Sequence, residues 1–362
     1  MVVRPPVLLA VLLSAGAASA VAQPPGPQSA DDERGRRFRR TFAPVSAADA
    51  AVLARHGRRD AAVHDPTSIV RCGDEYWLFA TGRGIASWRS TDLKDWQPGP
   101  RVFAEPPAWA LEAVPEHRGR YWAPAVLRHG DRYLLYYSVS TFGKNRSAIG
   151  LATSPTLDPD DPAYRWTDHG PVVQSRPGDD FNAIDPAVLA TADGGLWLAF
   201  GSFWSGLKLV RLDSATGLRA EPDAAPIALA DAPDDQIEAP LLAERDGFYY
   251  LFFNRGLCCR GTESTYEIRV GRSRSVEGPY LDRDGRPLLG GGGTLLSETD
   301  GPFIGPGHAG LLEEDGRTWF GCHFYDGARR GRATLALQEL RWDEDGWPRL
   351  LPPPDAAPSD AE

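Results

Sequence analysis

Three acidic residues stand in closely similar short contexts: His64-Asp65-Pro66, Ile184-Asp185-Pro186 and Ile237-Glu238-Ala239-Pro240. Two further segments, Trp122-Ala123-Pro124 and Gly307-His308-Ala309, share the pattern. An acid before a proline is by itself a common way to start a turn. Three acids at matching places of one repeat are harder to explain so, because like charges brought together raise one another's pKa. Two carboxylates flanking a bond, one kept protonated and one ionised, are the equipment for hydrolysing a glycosidic bond. A third carboxylate nearby can hold the proton on the first by repulsion. Competing chemistries lack their motifs. There is no GxSxG and no HExxH, and Gly290–Gly293 lacks the Gly-Lys-Ser/Thr ending of a phosphate-binding loop.

These residues need elements that bring them together. After each opening motif come a short apolar run, a Gly/Asp turn and an aromatic-rich strand, then another polar turn and strand. The turns are Cys72-Gly73-Asp74, His129-Gly130-Asp131, Asp193-Gly194-Gly195, Arg245-Asp246-Gly247 and Asp315-Gly316. The four prolines of the opening motifs lie 58, 62 and 54 residues apart. Short strands with Asp-Gly turns and no long helical period indicate an all-β chain. A repeat of this length with three or four strands predicts a five-bladed β-propeller, one blade per repeat, forming a single catalytic domain. A pair of β-sandwiches fits the fixed opening motif less well. In a propeller the first strand of each blade lines the central channel, so Asp65, Trp122, Asp185, Glu238 and His308 are expected at equivalent positions round one funnel.

Composition agrees. At 362 residues the chain exceeds the roughly 250–300 at which single cores stop growing. Apolar residues make up 42% and charged residues 24%, ordinary for a globular protein. Gly 38 and Pro 32 imply many turns, and Trp 11 with Tyr 11 offer aromatic platforms for flat ligands. A net charge of −10 argues against nucleic acid or anionic lipid as partner. Residues 1–22 read as a signal peptide: Arg4, an apolar Val7–Leu13, and small-x-small cleavage candidates at 18–20 and 20–22. That run is too short to span a bilayer. Residues 23–60 form an N-terminal extension, 61–350 the propeller and 351–362 a disordered tail. The mature protein is expected to be monomeric, free of the membrane, and secreted or periplasmic.

The ordered set of motifs resembles glycoside hydrolase family 43, and more narrowly its endo-1,5-α-L-arabinanases. It comprises the three acidic motifs, Trp122-Ala123-Pro124, Phe181–Pro186, Gly201–Gly206, Cys258-Cys259-Arg260-Gly261, Gly305–His308 and the stretch Ser138–Leu151. The similarity runs in order from about residue 60 to 350. It implies an inverting mechanism with Asp65 as general base, Glu238 as general acid, and Asp185 orienting Glu238 and tuning its pKa. Substrate contacts then fall on Asp65, Trp122, Gly143, Asn182, Ala183, Ile184, Asp185, Ser202, Phe203 and Trp204. His308 is similar to the family's histidine that holds calcium or another cation in the channel, mostly through waters. The implied partner is arabinan or its oligosaccharides. An exo-acting relative (exo-arabinanase, α-L-arabinofuranosidase or β-xylosidase) carries the same acids, and a non-catalytic sugar-binding propeller is a further alternative. Ala125 departs from the family pattern, which has Asp after Trp-Ala-Pro.

Taken alone, a single histidine is more often packed than ligating. His56, His117, His129, His169 and His323 sit in turns or lack acid partners in the sequence and are expected to be structural or exposed. His64, beside the proposed base, is placed to contact substrate. Export permits a Cys72–Cys322 bridge, and free thiols fit equally well. A bond between the neighbours Cys258 and Cys259 would be strained. The Pro-rich stretch within 97–132, with Phe103 and Trp109, is placed to close one end of a cleft.

Overall fold

The structure, a computed structural model, describes residues 45–354. The expected signal peptide and residues 355–362 of the expected tail lie outside the described residues. Five antiparallel sheets follow one another along the chain. Blade 1 holds Val70–Cys72, Glu75–Ala80, Ala86–Ser90 and Gln97–Pro98. Blade 2 holds Arg120–His129, Arg132–Val139, Ser147–Ser154 and Thr167–Ser175, with Gly82–Arg83 added at its edge. Blade 3 is Ala187–Ala190, Leu196–Phe200, Leu207–Leu212 and Ile227–Ala230. Blade 4 is Ile237–Arg245, Phe248–Arg255, Glu267–Ser273 and Thr294–Ser297. Blade 5 is Phe303–Glu314, Arg317–Asp326, Arg332–Trp342 and Pro348–Leu351.

Each blade opens with a hairpin that its turn residues dictate. Arg245 pairs with Phe248 across Asp246 and Gly247, whose φ values are 51° and 72°. Glu314 pairs with Arg317 across Asp315 and Gly316, at 49° and 73°. Two successive positive φ angles define the hairpin turn that matches strand twist, and Asp-Gly is its preferred sequence.

The second strands are buried on both faces. In blade 2, Leu135 and Tyr137 pack with Trp77 and Phe79 of blade 1, whereas Leu134 and Tyr136 pack with Leu198 and Phe200 of blade 3. Period-2 alternation thus sends successive side chains into different cores. Three more cores fill the remaining gaps: blades 3 and 4 around Leu209 and Phe253, blades 4 and 5 around Phe252 and Phe320, blades 5 and 1 around Leu78 and Leu337. Five interblade cores replace a single large one.

The chain closes the ring with its own beginning. A helix, Ala47–Arg55, is capped by the Ser46 hydroxyl, which accepts from Asp49 N–H. Its Leu53 enters the core between blades 4 and 5. Residues 57–61 then run against the third strand of blade 5: Arg59 N–H donates to Leu335 O, and Leu335 and Leu337 N–H donate to Ala61 O and Gly57 O. The sequence did not reveal this helix.

All four cysteines are free thiols. Cys72 packs at the core between blades 1 and 2 and Cys322 in that between blades 4 and 5, so the bridge offered as one alternative is not formed. Among the described residues no helix is long and apolar enough to cross a membrane.

Candidate active site

At one end of the channel, five residues lie in the left-handed region: Asp65, Ala123, Asp185, Ala239 and His308, with φ of 52°, 39°, 57°, 55° and 56°. The sequence placed Trp122 and Glu238 among these equivalents. The structure corrects that: both stand one residue earlier, where the other blades carry His64, Ile184 and Gly307. Matching the motifs by their acids and aromatics misled the alignment, because the left-handed residue is the one directly before Pro66, Pro124, Pro186, Pro240 and Ala309.

The left-handed turn points each N–H at the preceding blade. Asp65 N–H donates to His323 Nδ1 (3.1 Å), Ala123 N–H to Thr81 Oγ1 (2.8 Å), Asp185 N–H to Ser138 Oγ (3.0 Å) and His308 N–H to Asn254 Oδ1 (2.8 Å). The acceptors sit at matching places just past or near the end of each second strand. At the blade 3 place stands Gly201, whose own N–H donates to Ile184 O as that of Thr81 does to His64 O. A Cβ at Gly201 would meet Gly206 O at 2.5 Å, so no side chain fits. Ala239 N–H is left to Asp185, whose Oδ2 accepts it at 3.2 Å. The missing side chain is what draws Asp185 toward Glu238.

Glu238 is buried and clamped. Ser202 Oγ lies 2.6 Å from Oε2, and the Tyr266 hydroxyl donates to Oε1. Gly307 makes room for that tyrosine, since a Cβ there would stand 2.2 Å from its ring. Burial raises the Glu238 carboxyl to about 7, against the two hydroxyls and with help from the charges of Cys259 and Asp65. Asp185 is also pushed well up, by burial first and then by Glu238 and Asp65. The two share a site that disfavours a second negative charge.

Asp65 is the opposite case. Burial works against its charge, yet His64, through its charge and its hydrogen bond, outweighs this and holds the carboxyl well below the usual range. Its Oδ2 takes the Thr81 hydroxyl at 2.5 Å and lies 2.8 Å from His64 Nδ1, an ion-pair contact. Its Oδ1 faces His323 Nδ1 at 3.6 Å and His308 Nδ1 at 3.9 Å. Burial alone would lower His64, but Asp65 raises it to about 10. His64 therefore touches the acid that precedes Pro66.

The structure overturns one expectation about the histidines. His323 is fully buried on a strand of blade 5, with an acid facing it. Its Nδ1 accepts from Asp65 N–H, which puts its proton on Nε2, and burial followed by the charge of His64 keeps it neutral. His56 also has an acid partner, Asp300, at 2.8 Å. Nothing local in the sequence pairs residues more than 240 positions apart. Sequence reasoning likewise missed Thr81, Tyr266 and Tyr325. Their signal was the matching place in each second strand and the loop behind it.

The other expected site residues divide into two groups. Asn182, Ala183 and Ile184 are buried; Asn182 Oδ1 accepts from Ser147 Oγ at 2.7 Å. They build the framework beneath Asp185. Trp122 and Phe203 are half-buried, Trp204 is exposed, and no heavy atom lies within 4 Å of a Cβ added at Gly143. Phe142, beside Gly143, is 52% exposed and adds an aromatic face that the sequence reading did not single out. In the Pro-rich stretch within 97–132 the aromatics turn inward: Phe103 packs on Tyr121 and Tyr137, and Trp109 Nε1 donates to Asp168 (2.8 Å).

His64, Asp65 and His323 form a cluster of cation-ligand type. As a direct ligand set it fits poorly, because His323 Nδ1 is already committed to Asp65 N–H. His308 offers one buried imidazole, its Nδ1 3.9 Å from Asp65 Oδ1. Calcium takes about six to eight oxygens, so the residues present fit a cation held chiefly through water.

A five-bladed propeller with one carboxylate held ionised beside a buried pair that resists a second negative charge defines a class of acid–base hydrolase scaffold. The model of glycosyl hydrolases family 43 matches residues 61–348, and the chain belongs to that family. It is 42% identical over 305 residues to the extracellular exo-α-(1→5)-L-arabinofuranosidase of Cellvibrio japonicus, covering 81% of this chain and 88% of the relative. It is 38% identical over 298 residues to the extracellular endo-α-(1→5)-L-arabinanase 1 of Bacillus subtilis, with the same coverage. The solved Cellvibrio cellulosa α-L-arabinanase in complex with arabinohexaose superposes with a TM-score of 0.77 at 42% identity, over 80% of this chain and 95% of that one.

Proposed function

We propose that the protein is an exported glycosidase that cleaves internal α-1,5-L-arabinofuranosidic bonds of arabinan with inversion. The observation that carries this reading is one buried set of three carboxyls in unlike surroundings: Asp65 lies 2.8 Å from the His64 imidazole, whereas Glu238 is buried next to Asp185, and burial pushes its carboxyl up. Glu238 delivers its proton to the glycosidic oxygen, and Asp65 takes one from the attacking water. Asp185 supports the proton on Glu238 by repulsion and by sharing the Ala239 turn. Trp122, Phe203 and Trp204 offer faces for furanose rings above the buried Asn182–Ile184 floor, with Gly143 leaving space beside them. His308 holds a cation, calcium or another, mainly through waters; when bound, it supplies positive charge beside Asp65.

Similarity to the endo-acting Bacillus subtilis relative supports endo action. Similarity to the exo-acting Cellvibrio japonicus relative supports the second reading, exo cleavage from a chain end. Product analysis on linear arabinan decides between them. A ladder of oligosaccharides is expected, and a single small product from the first minutes would establish exo action. Asp65→Ala and Glu238→Ala should each abolish new reducing ends. Full activity in both would refute the acid–base assignment. The names of both relatives as extracellular, together with residues 1–22, support export, which fractionation of expressing cells tests directly.

A further inference from the structure

Hydrolysis leaves two nucleophilic groups of the site unused, the neighbouring thiols of Cys258 and Cys259. Cys259 is in the left-handed region, φ 64°, an uncommon place for a residue with a side chain. Its N–H donates to Tyr325 Oη at 2.7 Å, and that hydroxyl meets His64 Nε2 at 2.9 Å. Its Sγ also approaches His64 Nε2, at 3.8 Å. The opposite nitrogen of the same imidazole lies against Asp65. Cys259 therefore reaches the partner of the proposed base directly through its sulfur and, by way of Tyr325, through its backbone.

The two sulfurs are unlike. The Cys258 thiol donates to Cys259, and with the positive charge of His64 this brings Cys259 down to about 5 against burial. Cys258 is raised by the same contact and by burial. Both residues are half-buried, with part of their surface open. A thiolate beside an imidazolium, partly exposed, with a second thiol next to it, is the arrangement of an oxidisable pair.

We propose that Cys259 and Cys258 are a modification site for hydroperoxides, in which Cys259 is the attacking sulfur and Cys258 the resolving one. In the first step the Cys259 thiolate attacks the peroxide O–O bond, giving a sulfenic acid and hydroxide. In the second, Cys258 sulfur displaces the sulfenic oxygen as water, its own proton completing that water, and a 258–259 disulfide forms. The peroxide is reduced and the two thiols are oxidised. The left-handed turn at Cys259 already departs from ordinary backbone, and closing the small ring pulls Cys259 N–H and Sγ away from Tyr325 and His64. The imidazole that holds Asp65 ionised loses its contact with the sulfur, and Tyr325, its other neighbour, loses the N–H it accepts.

The test starts from dithiothreitol-reduced full-length protein treated with hydrogen peroxide. Peptide mass mapping should show the 258–259 peptide lighter by two hydrogens. Turnover on arabinan should fall by roughly 10- to 100-fold, as small misplacements of catalytic groups do, and return with dithiothreitol. In Cys258→Ser the reaction should stop at a sulfenic acid on Cys259, trapped by dimedone. In Cys259→Ser, Cys258 should resist peroxide. A pair that stays reduced, or a Cys258 that reacts as fast without Cys259, overturns the site. The loss of turnover rests on Asp65 being the base, whereas the mass and trapping results do not; oxidation without lost activity would overturn the link to His64 alone.

Discussion

Asp185 Oδ2 accepts the N–H of Ala239 at 3.2 Å, which fastens the carboxylate of blade 3 to the residue that follows Glu238. In three of the other four interblade steps the N–H goes to a side chain of the preceding blade's second strand, and in the remaining one to Thr81 just beyond such a strand. Asp185 thus acts as fastener and as electrostatic neighbour at once. Asp185→Asn keeps an oxygen for Ala239 but removes the repulsion. The alkaline limb of the kcat/KM profile, set by Glu238 near pH 7, should move to lower pH. Turnover should fall by about 10²-fold, the scale of acid–base contributions. An unmoved limb would leave Asp185 a purely structural role.

Tyr266 has the opposite sign. Its hydroxyl favours the charged form of Glu238 and so lowers the carboxyl. Tyr266→Phe should shift the alkaline limb upward while the fold, read by circular dichroism, is unchanged. A limb that moved down instead would mean that the phenol stabilises the protonated acid.

Burying Glu238 also costs stability once it ionises. Its folded pKa lies above its ordinary 4.5, so the folded state binds the extra proton between about pH 4.5 and 7. The favourable linkage is present below that window and is lost as pH rises through it. Glu238→Gln, neutral throughout, should match the parent at pH 4 and become more stable above pH 7, by about 3 kcal/mol at most. Denaturant melts at the two pH values measure the difference, and equal gaps at both would contradict the buried-acid account.

His308 is tested by stripping cations. Chelator treatment should reduce activity, calcium or another divalent ion should restore it, and His308→Ala should retain less metal by elemental analysis. Unchanged turnover in metal-free protein would remove the cation from the reaction.

Much of this was legible before the structure. The Asp-Gly turns and the repeated opening motif indicated five blades, because hairpin turns and period-2 strands are written locally. The three acids were legible through the repeat. The one-residue offset of Glu238 was not, since it depends on which residue of each motif takes the left-handed turn. His323, Tyr266 and Cys259 acquire their roles only when blades 4 and 5 fold against blade 1. Residues 57–61 belong beside strands almost 280 positions away, a pairing that no local pattern encodes.

Gly201 has a consequence for anyone who averages the blades. A consensus repeat would place a hydrogen-bonding side chain there, as Thr81, Ser138, Asn254 and His323 do in the other four, and idealised repeats of that kind stabilise repeat architectures. Such a ring would hold every Ala239-like N–H without help from an acid, and Asp185 would have no reason to lean toward Glu238. The meeting of Asp185 and Glu238 thus sits in a flaw of the scaffold's symmetry, and a designer who set out to repair it would first have to move the Gly206 turn that leaves Gly201 no room for a side chain.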